Sequence, residues 1–318
     1  MISGGLDSIL AAGVVKNEGI EVIALKFKIP FGHNKDRVPS GLGLGIKEID
    51  IQDDFFGMLV NPKHGYGAHM NPCLDCKILM LRKAKELMGK YDAKFIITGE
   101  VLGQRPMSQH KAALTAIVKA AGLDGLVLRP LSAKLLEETI PEKEGWIKRE
   151  RLLSFGGRGR SQQIALAKTF GIREYAQPAG GCLLTDKEFS VRLKDLMSHE
   201  GLNRDNVALL KIGRHFRISD KTKLIVGRNE KENETLFGFA KDSDYLFMPA
   251  DTLAGPTSLG IGTFSEELIK LSCGITGRYC DIEGKDNAEI LYKRVPAAEN
   301  RILKVLPLEE PELSNLRI

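Results

Sequence analysis

The sequence predicts an α/β protein: a parallel sheet with helices on both faces, followed by a smaller α+β domain. Short apolar runs rich in strand formers, at residues 21–27, 93–100 and 125–131, alternate with longer stretches of helical periodicity. That alternation is the pattern of βα units, which bury a parallel sheet between helices. Beyond Asp186 the pattern changes to short strands separated by turns, which places the boundary near 187–200 and the domains at 1–187 and 188–318.

The chain begins on a glycine-rich turn, Ser3-Gly4-Gly5-Leu6-Asp7-Ser8, feeding a helix over 9–16. Adjacent glycines let the backbone fold tightly, and the helix start aims free N–H groups and its positive dipole end at one spot. Ser3 and Ser8 add hydroxyl donors. Asp7 would be repelled by bare phosphate, so it fits either a Mg²⁺ ion or a role in shaping the turn. A plain capped helix start is the simpler alternative. A buried strand is expected at 21–27, a Gly/Pro-rich loop at 30–45 and another strand at 47–51. A flexible approach at 64–69 leads to Asn71-Pro72-Cys73-Leu74-Asp75-Cys76-Lys77, and a helix is expected over about 77–90 with Leu79, Leu81, Ala84 and Leu87 on its apolar face. Helices are expected at 110–121 and at 161–170, the latter stopping at Gly171.

Bulk composition bounds the rest. Of 318 residues, 43% are hydrophobic and 27% charged, an ordinary soluble balance. No apolar run reaches membrane-helix length and no leader pattern opens the chain, so a cytoplasmic location is expected. A net charge of +5 accommodates nucleic acid without requiring it. The stretch 148–160 concentrates Lys148, Arg149, Arg151, Arg158 and Arg160 against Glu150 alone, a candidate contact for an RNA backbone or else a solvated loop. Five cysteines in such a chain argue against a disulfide framework.

Cys73 and Cys76 form a Cys-x-x-Cys pair, which by itself leaves zinc, redox and iron–sulfur chemistry open. His64 and His69 are candidate additional zinc ligands. Cys182 follows much later, after Gly180-Gly181. Three thiolates would leave one iron of a [4Fe-4S] cube open to an exogenous sulfide. Cys182 is alternatively a small buried residue, as Cys273 and Cys280 are taken to be.

The string Ser3-Gly4-Gly5-Leu6-Asp7-Ser8 resembles the SGGxDS signature of the PP-loop ATP pyrophosphatases, whose fold is adenine nucleotide alpha hydrolase-like. That family places a hydrophobic strand directly before the loop; here only Met1 and Ile2 precede it, so either the natural chain starts further upstream or the bracing strand is missing. The segment 98–109 looks like one in tRNA 4-thiouridine synthases, and Asn71-Pro72-Cys73 with the distant cysteine resembles tRNA 2-thiouridylases. Gly227-Arg228-Asn229 and Asn233 resemble the NFACT-R RNA-binding domain.

The resemblance implies ATP-dependent thiolation of a tRNA uridine, to 2-thiouridine or 4-thiouridine. Ser3, Gly4, Gly5 and Ser8 would hold phosphates, and Asp7 would organise Mg²⁺. Phe27, Thr98 and Gly99 would border the nucleoside. Cys73, Cys76 and Cys182 would hold a cluster, or Cys76 or Cys182 a persulfide. The partners implied are tRNA and a sulfur donor, either sulfide or a persulfide carrier, with no membrane and with a homodimer left open. A PP-loop ligase or amidotransferase acting on a small carboxylic acid, and a non-catalytic nucleotide- and RNA-binding subunit, are the rival readings.

Overall fold

The computed structural model describes residues 1–32, 43–173, 175, 182–282 and 287–318. The chain divides into two compact units, Met1–Asp186 and Lys187–Ile318.

The first unit runs α1 (Leu6–Lys16), β1 (Ala24–Lys28), β2 (Ile46–Asp50), α2 (Gln52–Val60), α3 (Cys73–Met88), β3 (Ile96–Ile97), α4 (Lys111–Ala121), β4 (Val127–Leu128), α5 (Ile140–Lys143) and α6 (Ser161–Thr169). β1 pairs in parallel with β2, from Ala24 opposite Ile46 to Lys28 opposite Asp50. β3 pairs in parallel with β4. Met1 and Ile2 lie between the pairs. The Ile2 N–H donates to Leu25 O at 2.7 Å, and the Met1 amino group donates to Ile97 O at 2.8 Å. Met1 and Ile2 thus hydrogen-bond to both pairs, and the Ile2 side chain is buried. Burial pushes the Met1 amino group down to about 5, because a charged amine is poorly solvated there.

β3 and β4 are shorter than the apolar runs that contain them. β3 has a two-residue seam on one side and two-residue β4 on the other, so the ladder cannot extend. The remaining apolar residues still bury, Leu123 and Leu131 among them. α4 presents Leu114, Ile117, Val118 and Ala121 to one core at helical spacing. His110 is its cap and not its first residue, accepting from the Ala113 N–H at 3.3 Å. α3 begins at Cys73, four residues before the expected start. Pro72 precedes it with its carbonyl accepting from the Cys76 N–H at 2.8 Å, so the Cys-x-x-Cys pair is the first helical turn itself. The buried face is consequently Ile78, Leu81 and Ala84, with Leu79 half-exposed.

The second unit runs α7 (Lys187–His199), α8 (Arg204–Leu209), β5 (Arg214–Ser219), β6 (Thr222–Val226), α9 (Glu230–Phe239), β7 (Tyr245–Pro249), β8 (Ser258–Gly262), α10 (Glu266–Gly277), β9 (Ala288–Arg294), β10 (Arg301–Val305) and α11 (Glu310–Leu316). Its six strands form an antiparallel sheet in the order β10-β9-β7-β8-β6-β5. β6 is buried along its whole length, as an inner strand should be. α10 packs on β7, β9 and β10. α7 is fixed to β5 and β6 by charge: Arg217 grips Asp195 at 2.5 and 2.9 Å and Glu200 at 2.6 Å, with the buried Lys223 ammonium at 3.8 Å from Asp195. Among the described residues, no helix is long and apolar enough to cross a membrane.

Candidate functional site

The glycine turn folds as its composition requires. Gly4 sits at φ 81°, where a side chain would be strained, and Gly5 is the extended residue that opens α1. Ser8 Oγ accepts from the Ser3 N–H at 3.1 Å and donates to Gly5 O at 2.8 Å; Ser3 Oγ lies 3.3 Å from it. The two hydroxyls thus brace the turn. The amides of Leu6 and Asp7, in the first turn of α1, have no acceptor within the helix, which is the arrangement that receives anions. Asp7 has one oxygen fixed: Oδ2 accepts from Gln104 Nε2 at 3.0 Å, while Oδ1 is buried without a hydrogen-bond partner among the described residues. A buried, half-satisfied carboxylate fits a cation such as Mg²⁺.

Thr98, Gly99 and Glu100 follow β3 directly. Gly99 is pressed against the turn: a Cβ there would lie 2.4 Å from Ser8 N and 2.5 Å from the Asp7 carbonyl carbon. The Thr98 hydroxyl donates to Glu100 Oε2 at 3.1 Å. Glu100 also receives Lys77 Nζ at 2.5 Å and Arg129 Nε at 3.0 Å. Burial alone would raise the Glu100 carboxyl, but the Lys77 and Arg129 cations outweigh it and hold it below the usual carboxylate range. Glu100 therefore clamps the Cys-x-x-Cys helix, through Lys77, to the segment that wedges under the glycine turn. Phe27, in β1, is half-buried against the cluster containing Leu25, Ile78 and Ile96.

The three cysteines lie close enough to influence one another. Burial pushes the Cys76 thiol up to about 12, with Cys73, Cys182 and Asp75 adding to the rise and Lys77 opposing it. Burial also raises the Cys182 thiol, and Cys73 adds to this against the Leu184 amide and Arg105. The segment carrying Cys182 is fixed next to the motif by the Met70 N–H, which donates to Leu184 O at 3.1 Å. Cys73, Cys76 and Cys182 are each half-buried. Among the described residues, no group of three or more His, Cys, Asp or Glu side chains is arranged to hold a metal ion. His64 is engaged by the buried Asp75, through its N–H at 2.8 Å and its Nδ1 at 2.9 Å. Gly180-Gly181, which precede Cys182, lie outside the described residues.

The basic stretch divides in two. Arg149 is a strut, bonded to Glu142 Oε1 at 2.5 Å and to Leu136 O at 3.0 Å. Lys148, Arg151 and Arg158 are exposed. Arg160 is half-buried where α6 begins, and its Nε is buried without a partner. The turn before it touches the loop after β3, because the Gly157 N–H donates to Leu102 O at 2.8 Å. In the second unit, Arg228 is spent on Glu232 at 2.6 Å, and Asn229 caps α9 by accepting from the Glu232 N–H at 3.1 Å.

Sequence reasoning brings Glu100 to the carboxyl ends of the strands with the glycine turn and the cysteines but gives it no role, and it does not reach Lys77, Arg129 or Gln104. The only signal was a charged residue next to each recognised motif: Lys77 after Cys76 and Glu100 after Gly99.

Over 114 aligned positions the chain is 29% identical to the tRNA-specific 2-thiouridylase MnmA of Geobacter metallireducens, covering 27% of this chain and 31% of that protein. The chain thus spans under a third of that relative's length. Among solved structures, the C-terminal part of the fibronectin/fibrinogen-binding protein from Streptococcus suis aligns with a TM-score of 0.30 and 12% identity, over 51% of this chain and 79% of that one. Residues 213–317 match the NFACT protein RNA binding domain, and the chain carries an NFACT-R domain there.

Proposed function

We propose that this chain is an ATP-dependent tRNA sulfurtransferase, which adenylates a uridine carbonyl and then replaces that oxygen with sulfur. Its first unit is read as a PP-loop, adenine nucleotide alpha hydrolase-like domain. The observation that carries the proposal is the Glu100 clamp: one side chain joins the helix bearing Cys73 and Cys76 to the segment wedged beneath Ser3–Ser8. Activation and sulfur chemistry are then neighbours. The partial match to a tRNA thiouridylase and the RNA-binding domain support tRNA as the substrate.

The turn amides and Ser3 hold the ATP phosphates, Ser8 braces the turn through its bond to Gly5 O, and Asp7 would hold the Mg²⁺ that neutralises them. The uridine oxygen attacks the α-phosphorus and pyrophosphate leaves. Fixed donors supply most of the rate by positioning and charge stabilisation. A persulfide on Cys182 or Cys76, loaded by an external sulfur donor, attacks the activated carbon, and AMP departs with the original oxygen. The other thiolate of the pair then attacks the cysteine sulfur of the resulting S–S–C link, which releases the thiouridine and leaves a Cys76–Cys182 disulfide that an external thiol reductant returns to the two thiols. Arg105 and Lys77 are the cations that favour the ionised sulfur.

A [4Fe-4S] cluster on Cys73, Cys76 and Cys182 is the other expected carrier. The donor set suits it, and these three thiols would hold it. Anaerobic purification tests it: a cluster gives a broad charge-transfer absorption, and a colourless protein leaves the persulfide as carrier. A brown protein that loses its colour in Cys73→Ala would show that the thiols close around a cluster.

Asp7→Ala should lower ATP-dependent thiolation at least about 100-fold while tRNA binding persists. The reading is tested by mass spectrometry of tRNA nucleosides from cells lacking the gene, complemented with wild type or Asp7→Ala. Wild type should restore 2-thiouridine or 4-thiouridine and the variant should not. Unchanged thionucleosides in the deletion would remove thiolation as the function.

A further inference from the structure

Gln163 stands in the first turn of α6, three residues after Arg160. It is 1% exposed, yet among the described residues neither its Nε2 nor its Oε1 has a hydrogen-bond partner. A glutamine at this helical position ordinarily reaches back to bond the capping amide, and this one does not. Side chains lean toward the helix N-terminus, so the amide lies over the turn that opens α6. That turn is Gly156-Gly157-Arg158-Gly159-Arg160, and the Arg160 Nε is a second buried group without a partner. A Cβ on Gly159 would meet nothing within 4 Å and its φ is not positive, so neither packing nor conformation requires glycine there. Space beside a glycine is what close approach of a ligand needs. The turn is linked to Asp7 by two contacts, Gly157 to Leu102 and Gln104 to Asp7.

A buried, unsatisfied amide destabilises a ligand-free protein, and an apolar side chain of the same shape would be preferred on stability alone. An amide presents one donor and one acceptor side by side. That pair complements a nucleobase edge: for uracil, N3–H to Oε1 and a carbonyl oxygen to Nε2. Arginines and first-turn N–H groups suit the attached phosphate.

We propose that Gln163 reads the edge of a uridine extruded from RNA, while residues 156–160 and the start of α6 hold its phosphate. The proposal rests on tRNA being the substrate. The base must leave its stack to reach this amide, and the glycines give the turn freedom to admit it. One uracil carbonyl engages Nε2, and the other is left for activation.

The test is Gln163→Met, with Arg160→Gln beside it, in the full chain. Three quantities are measured: the melting temperature without ligand, affinity for an unmodified tRNA transcript across a salt series, and affinity for ATP. Gln163→Met should melt no lower than wild type, bind tRNA about tenfold more weakly with an unchanged salt slope, and bind ATP normally. Arg160→Gln should reduce the salt slope by about one. A lower melting temperature with unchanged tRNA affinity would make Gln163 a structural residue and overturn the proposal. Weakened ATP binding with unchanged tRNA binding would assign the amide to adenine and overturn it equally. Wild type that binds no tRNA removes both this site and the sulfurtransferase reading. Wild type that binds tRNA through Gln163 but never thiolates removes only the reaction.

Discussion

Gly99→Ala is expected to eliminate ATP binding and to destabilise the Met1–Asp186 unit by about 1–3 kcal/mol. The added methyl would sit 2.4 Å from Ser8 N and 2.5 Å from the Asp7 carbonyl carbon, and both are backbone. No side-chain rotation relieves that overlap, so β3 or the start of α1 must shift. The Ser3–Ser8 hydroxyl bracing and the Asp7–Gln104 bond depend on that start. Nucleotide affinity should therefore be lost together with stability, the latter read as a fall in melting temperature of several degrees. An alanine variant with unchanged melting temperature and normal ATP affinity would show that the wedge is not closed as described.

The second large effect is expected from Glu100→Gln, at about 3–5 kcal/mol. The substitution leaves the Lys77 and Arg129 cations without their shared anion, at side-chain exposures of 17% and 7%. Buried charge without a partner is costly, whereas converting all three residues to apolar ones of similar size should recover much of the loss. The pH dependence follows from the direction of the Glu100 shift. Its carboxyl is held lower in the folded state than in the unfolded chain, where it titrates near ~4.3. Its contribution is fully present above that unfolded value and disappears as pH falls through the folded one. Urea midpoints from pH 7 down to pH 3 should fall in wild type, with this component absent from Glu100→Gln. Parallel curves would remove Glu100 as the clamp.

The site divides between what local sequence signals reveal and what only long-range contacts create. Ser3–Ser8 is readable because two glycines, a hydroxyl on each side and a helix start are all local. The ends of α4 and α6 are readable because Gly122 and Gly171 stop them. Gly227-Arg228-Asn229 lies between a strand and a helix for equally local reasons, a cap and a tight turn. The start of α3 is misread because Pro72 and two cysteines resemble a loop, whereas proline is well tolerated just ahead of a helix. Glu100 has only its place after Gly99 as a local signal, and Gln163 has none. One is defined by cations at positions 77 and 129 and the other by the absence of any partner, and neither is visible to periodicity or composition.

The seam at Met1 and Ile2 also constrains how the first unit can fold. Its hydrogen bond to Ile97 spans 96 positions, and joining such distant residues costs loop-closure entropy before any packing repays it. The two parallel pairs share one apolar cluster and are hydrogen-bonded to each other through Met1 and Ile2, so neither is a finished nucleus alone. The unit should fold slowly and as a whole, its glycine turn taking shape only when the β3 end arrives beneath it. Substitutions in the seam, at Ile2 above all, would then retard folding as well as weaken the native state, and a stopped-flow refolding series would separate the two effects.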